Sequence, residues 1–216
     1  MFAVVSGTYI LFLFGLGYWI VQFLPLSDER SHACERAPLI LVTGFLINHL
    51  ILLLVQSLEK TLWIGFILLG CSVILFVVKQ RRGFGWNRDE KKFPVATVVF
   101  VLSLYGTAIL LDPLKDWDAR SIWFFHSKMI WSAESINMSA GWNNPLLQFS
   151  HVDYPKLIPV LAAQLSYVLG YWNEYMPKFS LLLILIPAIF WVFSFNSRSL
   201  SFLCLVLVFP FGLKNH

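Results

Sequence analysis

Two groups of side chains in this sequence could do chemistry, and both fall in one polar stretch between apolar runs. Asp112, Asp116 and Asp118 form the first, and His151 with Asp153 forms the second. A carboxylate can act as a general base or bind a divalent cation, and histidine can shuttle protons or ligate metal. The plainer alternative is that these are interfacial charges and helix caps, Asp118 being well placed to cap the helix that follows it. The cysteines add no site. Cys34, Cys71 and Cys204 are far apart, have no metal-ligand spacing and read as small apolar fillers. No metal site is assigned, and a divalent cation is the one cofactor the acidic groups leave open.

Composition says what kind of element must hold these residues. Of 216 residues, 58% are hydrophobic and 13% charged, whereas a soluble domain carries roughly 25% charged residues. Twenty Phe and nine Trp suit lipid contact and the membrane interface. The charges are clustered, so the apolar stretches can be read from the gaps between them. Spanning a hydrocarbon core of about 30 Å takes roughly 20 residues of helix. The gaps give four transmembrane helices in residues 1–111, at about 2–25, 37–58, 61–78 and 93–111. Residues 112–156 form a loop, and 157–216 supply two to three further spans, the stretch 199–213 being marginal. The first stretch lacks a positive n-region and reads as a retained helix rather than a signal peptide. The expected fold is all-α, a polytopic membrane protein with six or seven transmembrane helices.

Lys79, Arg81, Arg82, Arg88, Lys91 and Lys92 make the densest basic cluster. The positive-inside rule puts it in the cytoplasm. Counting outward places the loop 112–156 on the extracytoplasmic side, and a turn at Glu174 to Lys178 in the cytoplasm as an ordinary surface pair. The loop is longer than a structureless connector in a compact protein usually is. Trp117, Trp123, Phe124, Phe125, Trp131 and Trp142 make it too aromatic for a solvated linker. From Asp118 to Trp131 there is no Pro or Gly, and Asp118, Ile122, Phe125 and Met129 share one face at helical spacing. That predicts a helix lying in the headgroup plane. Asn137 to Asn144 reads as turns, with a formal glycosylation sequon at Asn137-Met138-Ser139.

The loop resembles a known family. Asp116-Trp117-Asp118-Ala119-Arg120-Ser121-Ile122-Trp123, then Lys128, then His151-Val152-Asp153-Tyr154-Pro155 with Leu157, Ile158 and Pro159 is similar to a motif of the GT-C superfamily. These are polytopic glycosyltransferases of the dolichyl-phosphate-mannose and aminoarabinose type, some bacterial members reading WDA…IW…KAK…HPDYP. The likeness covers roughly residues 112–185. His126-Ser127-Lys128 replaces Lys-Ala-Lys, Val152 stands where Pro is usual, and the loop follows the fourth span instead of the first.

The resemblance implies an enzyme of a bacterial inner membrane that moves a sugar from a polyprenyl-phosphate donor to a lipid, glycan or protein acceptor. It implies Asp118 as catalytic base, with Asp116 in reserve. Arg120 and Lys128, with Lys156 behind them, would offset the charge of the leaving lipid phosphate. His151, Asp153 and Tyr154 would shape the sugar or acceptor pocket. The chain is shorter than such enzymes usually are, which fits an N-terminal fragment.

Three rivals stand beside this reading. A transporter subunit or lipid-handling scaffold would place polar residues along mid-membrane helices. Here only Asn48 and His49 sit mid-span, where an interhelical hydrogen bond is the plainer role. Gln56 and Gln164 are read the same way. The third rival is another lipid-linked transferase, such as an O-antigen ligase or polymerase. No P-loop, dinucleotide fingerprint, nucleic-acid module or internal repeat is present, so the partners implied are membrane lipids and the lipid-linked donor. Oligomeric state is not legible.

Overall fold

Helices this apolar on every side have no single stripe to turn inward, so polar groups and close backbone contacts must set their packing. The computed structural model describes residues 2–21, 33–81, 95–137 and 141–195. These form α1 (Phe2–Val21), α2 (Ala33–Val55), α3 (Leu58–Arg81), α4 (Val95–Leu111), α5 (Phe125–Ala133), α6 (Leu157–Leu169) and α7 (Tyr175–Phe195). A π-helical turn, Ala119–Phe124, leads into α5, and a short 3-10 helix, Pro145–Ser150, precedes α6. There is no strand among the described residues.

Three helices are long and apolar enough to cross a membrane, over Val4–Val21, Arg36–Val55 and Leu58–Val78. The protein is therefore built as an integral membrane protein. Shorter apolar runs lie at Ala96–Leu111, Leu157–Leu169 and Pro177–Val192. The expected span at 199–213 and most of the basic cluster lie outside the described residues. Trp63, Ile67 and Ile74 leave α3 with an exposed apolar face, as lipid contact requires.

α1 and α2 cross at two glycines. A Cβ on Gly17 would sit 1.7 Å from the Ile40 carbonyl oxygen, and one on Gly44 would sit 1.9 Å from that of Leu13. Only hydrogen fits at either point, which brings the two backbones together. Gln56, with φ 61°, ends α2 in the left-handed region. Ser57 then starts α3, its hydroxyl accepting from the Lys60 amide at 3.4 Å.

α6 is shorter than the stretch expected to span from residue 157. Its 13 residues extend only about 20 Å, too short for a core of about 30 Å. Moreover, it is sheathed by protein, with Pro159 through Ser166 all buried. Lys178 near the start of α7 donates to the carbonyls of Leu110 and Asp112 at the end of α4. The α7 start and the α4 end therefore share one side of the bundle, and residues 112–174 begin and end there. Lys178 is no surface residue, being buried at the α4 C terminus. Its ammonium meets the orphan carbonyls and the negative end of the helix dipole.

A buried polar clamp seats α6. The Gln164 side-chain oxygen accepts from the Tyr9 hydroxyl at 2.6 Å and from Asn48 Nδ2 at 2.7 Å, and its amide donates to Asn48 Oδ1 at 3.1 Å. Asn48 thus takes the interhelical role expected of it. Around the clamp, Leu161, Leu165 and Leu169 pack with Tyr9, Phe12, Phe45 and Leu183. Val160 and Ala163 pack with Leu52, Leu58, Ile130 and Ile136. α6 is the floor on which the polar segment rests.

Candidate functional site

The Asp116–Asp118 end of the segment emerges from α4 through an irregular stretch and enters the π-helical turn. Asp118 already has helical angles and its side chain makes no cap hydrogen bond. The capping role open to it in the sequence is therefore not taken. Both Asp116 and Asp118 are exposed, and among the described residues neither carboxylate has a hydrogen-bond or ion-pair partner. Asp112 differs, pairing with Lys115 at 3.8 Å.

The π turn also corrects the expected helix face. An i to i+5 turn holds an extra residue, which moves the buried register off Phe125 and Met129. The buried residues are Ile122, Phe124, His126, Ser127 and Ile130, and Asp118 is not on their face. Glu134, at φ 52°, ends α5, and its neighbour Ser135 donates from its hydroxyl to the Gln56 carbonyl. Asn137 Nδ2 donates to the Gln56 side chain at 2.9 Å. These contacts tie the far end of α5 to the α2–α3 turn.

The two chemically promising ends of the segment meet through their aromatic rings. Trp117 stands edge-on to His151 at 6.3 Å, His151 stacks on Tyr154 at 5.0 Å, and Tyr154 lies 6.1 Å from Trp123. His151 has φ 49°, in the left-handed region, and caps the 3-10 helix that Asn144 opens by accepting from the Leu146 amide at 3.0 Å. Its carbonyl accepts from the Tyr154 amide at 2.9 Å, so one tight turn presents His151, Asp153 and Tyr154 together.

Beneath them His126, Trp142 and Lys156 form a column whose members are far apart in the chain. His126 is fully buried, with Nε2 3.1 Å from the Ser150 hydroxyl and its ring 4.9 Å from that of Trp142. Lys156 Nζ lies 4.7 Å above the same indole and donates to the carbonyls of Val152 and Tyr154 at 2.6 and 2.8 Å. Burial pushes the Lys156 amine down to about 8, with the Asp153 charge opposing. Burial, helped by the Lys156 charge and opposed by Ser150, holds His126 at about 4. His126 is thus neutral at physiological pH and Lys156 is a brace of the turn. Lys156 therefore does not stand with Arg120 and Lys128.

Those two cations line a separate cleft of about 700 Å³, walled by Leu110, Leu111, Phe124, Phe125, Trp172 and Tyr175. Glu174 and Lys178 also border it, and His151, Asp153, Tyr154 and Lys156 do not. Arg120 and Lys128 are exposed and have no anionic partner among the described residues. The expected binding residues are thus divided into a cationic apolar cleft and an aromatic acidic face, joined by the segment that carries Asp116 and Asp118. Trp172, Glu174 and Lys178 were missed because only the return of α7 to the end of α4 brings them here. Among the described residues no three His, Cys, Asp or Glu side chains gather as a metal-binding group. No family model, curated protein or solved structure matches the chain.

Proposed function

We propose that this protein is a membrane glycosyltransferase that uses a polyprenyl-phosphate sugar donor, in line with the resemblance of residues 112–185 to the GT-C superfamily. The observation that carries the reading is the cleft between α4, α5 and α7. It combines an apolar aromatic wall with Arg120 and Lys128, neither ion-paired among the described residues, and with Glu174 and Lys178 on the rim. An amphiphile with a phosphate head fits such a lining, because the chain satisfies the wall and the phosphate satisfies the cations.

Asp118, with Asp116 in reserve, takes the proton of the acceptor hydroxyl as its oxygen attacks the anomeric carbon. The bond from that carbon to the phosphate oxygen breaks, and the lipid phosphate leaves with the electron pair. Arg120 and Lys128 offset its charge. A phosphate leaving group needs little help from a general acid. The topology that goes with the reading has α1 to α4 and α7 crossing the membrane, probed below, with residues 112–174 on the extracytoplasmic side opposite the basic cluster of Lys79 to Lys92. The membrane is then a bacterial inner membrane.

The test is transfer of radiolabelled sugar from polyprenyl-phosphate donors in membranes carrying the full open reading frame. Wild type is expected to transfer, and Asp118→Asn, present at equal abundance, to lose at least about 100-fold of the rate. Equal activity of the two would hand the base role to Asp116. Failure of wild type with every donor would sink the transferase reading in favour of a non-catalytic membrane protein.

A further inference from the structure

Trp117, His151, Tyr154 and Trp123 form a continuous row of rings, each within 6.3 Å of the next. The row is not part of the core. Trp117 is 52% exposed and Tyr154 39%, and His151 is exposed beside them. It also lies outside the lining of the cationic cleft. A contiguous row of rings left uncovered by the protein marks a surface that meets a ligand, a partner or a membrane. The acids nearest in the chain are Asp116 and Asp118 on either side of Trp117, and Asp153 between His151 and Tyr154. All three are exposed, and Asp116 and Asp118 lack partners among the described residues.

We infer that this row is a saccharide-binding surface that presents the acceptor sugar to the Asp116–Asp118 pair, an inference that rests on the transferase reading. A pyranose ring has a flat face of C–H groups, which matches the faces of indole and phenol, and a rim of hydroxyls. Ionised carboxylates only accept hydrogen bonds, so hydroxyl donors are their natural partners. A sugar lying on Trp117 rests on the residue that Asp116 and Asp118 flank in the chain, and Asp118 is the proposed base. The neighbouring cleft suits the opposite chemistry, a phosphate on an apolar chain. Two ligand classes thus have two surfaces with the acidic segment between them. The left-handed turn at His151 holds its imidazole between Trp117 and Tyr154 and keeps the row continuous.

The experiment is saturation-transfer difference NMR on the full chain in phosphatidylglycerol nanodiscs. The probes are methyl α-mannoside, methyl α-glucoside and methyl β-N-acetylglucosaminide, with tetramethylammonium as a cation probe. The expected result is saturation of the C–H protons of at least one glycoside. Trp117→Ala, and independently Tyr154→Ala at the other end of the row, should weaken its binding roughly tenfold, while Tyr154→Phe retains it. Near-UV circular dichroism selects variants that keep the wild-type fold. No glycoside signal, or a signal indifferent to both alanine variants, overturns the assignment. Binding of tetramethylammonium alone overturns it in favour of a cation site. Quenching of Trp117 by brominated acyl chains without glycoside binding overturns it in favour of a membrane anchor. Donor turnover is followed in parallel. Glycoside binding by a protein that turns over no donor would sink the transferase reading and leave the surface standing. Transfer by a protein whose alanine variants keep wild-type glycoside binding would do the reverse.

Discussion

At the scale of single residues, unpaired charge marks the places where this protein differs from an ordinary membrane bundle. Arg120 and Lys128 border an apolar cleft and, among the described residues, neither is ion-paired, Glu174 on the same rim included. If they hold a phosphate, Arg120→Gln and Lys128→Gln should each raise the donor KM about tenfold, the worth of one charge-assisted contact. An unchanged KM in both would remove the phosphate from the cleft. His126 makes a separate prediction. Its folded pKa, about 4, lies below the roughly 6.5 of free imidazole. Between those values the unfolded chain binds a proton that the folded chain does not. Stability must therefore fall as pH drops from about 6.5, with the loss complete below about 4. Thermal melts in detergent at pH 7 and pH 5 should show this drop in wild type, and a smaller one in His126→Asn.

At the scale of elements, α6 and the π turn decide what the polar segment presents. The clamp of Tyr9, Asn48 and Gln164 is fully bonded, so Gln164→Leu strands two buried polar groups while keeping the volume. Such groups cost about 1–3 kcal/mol each in soluble proteins, whereas single hydrogen bonds inside membrane bundles average about 0.6. A fall in melting temperature is expected with Gln164→Leu, together with faster proteolysis of the segment above α6. An unchanged melt would mean that the surrounding leucines alone seat the helix. The aromatic content and length of the segment announced that it was no linker, and Asp118 to Trp131 read as helical. The buried face was not legible, because a π turn leaves no composition signature and shifts the register by a residue. Likewise His126 looked like a motif mismatch until Ser150 and Trp142, distant in sequence, closed around it.

At the scale of the whole molecule, the side of the membrane that each segment reaches sets which surfaces can meet a donor or an acceptor. Residues 112 and 178 are joined through the Lys178 ammonium, which predicts that both ends of α6 lie on one side. After replacing the three native cysteines, Asp153→Cys and Tyr171→Cys should both react with a membrane-impermeant maleimide from the same side. Labelling from opposite sides would restore α6 as a crossing helix. The apolar runs, the membrane class and the polar segment with its acids were determined by the sequence alone, because burying or exposing so much hydrocarbon admits one solvent and charges mark where it ends. What hydropathy cannot carry is whether an apolar helix faces lipid or protein, since both are equally free of water. That choice was made by Gln164 meeting Asn48 and Tyr9, and by Lys178 reaching the end of α4. These contacts join residues far apart in the chain, and it is the folded packing that sheathes α6 in protein and divides the candidate residues between a cleft and a ring-lined face.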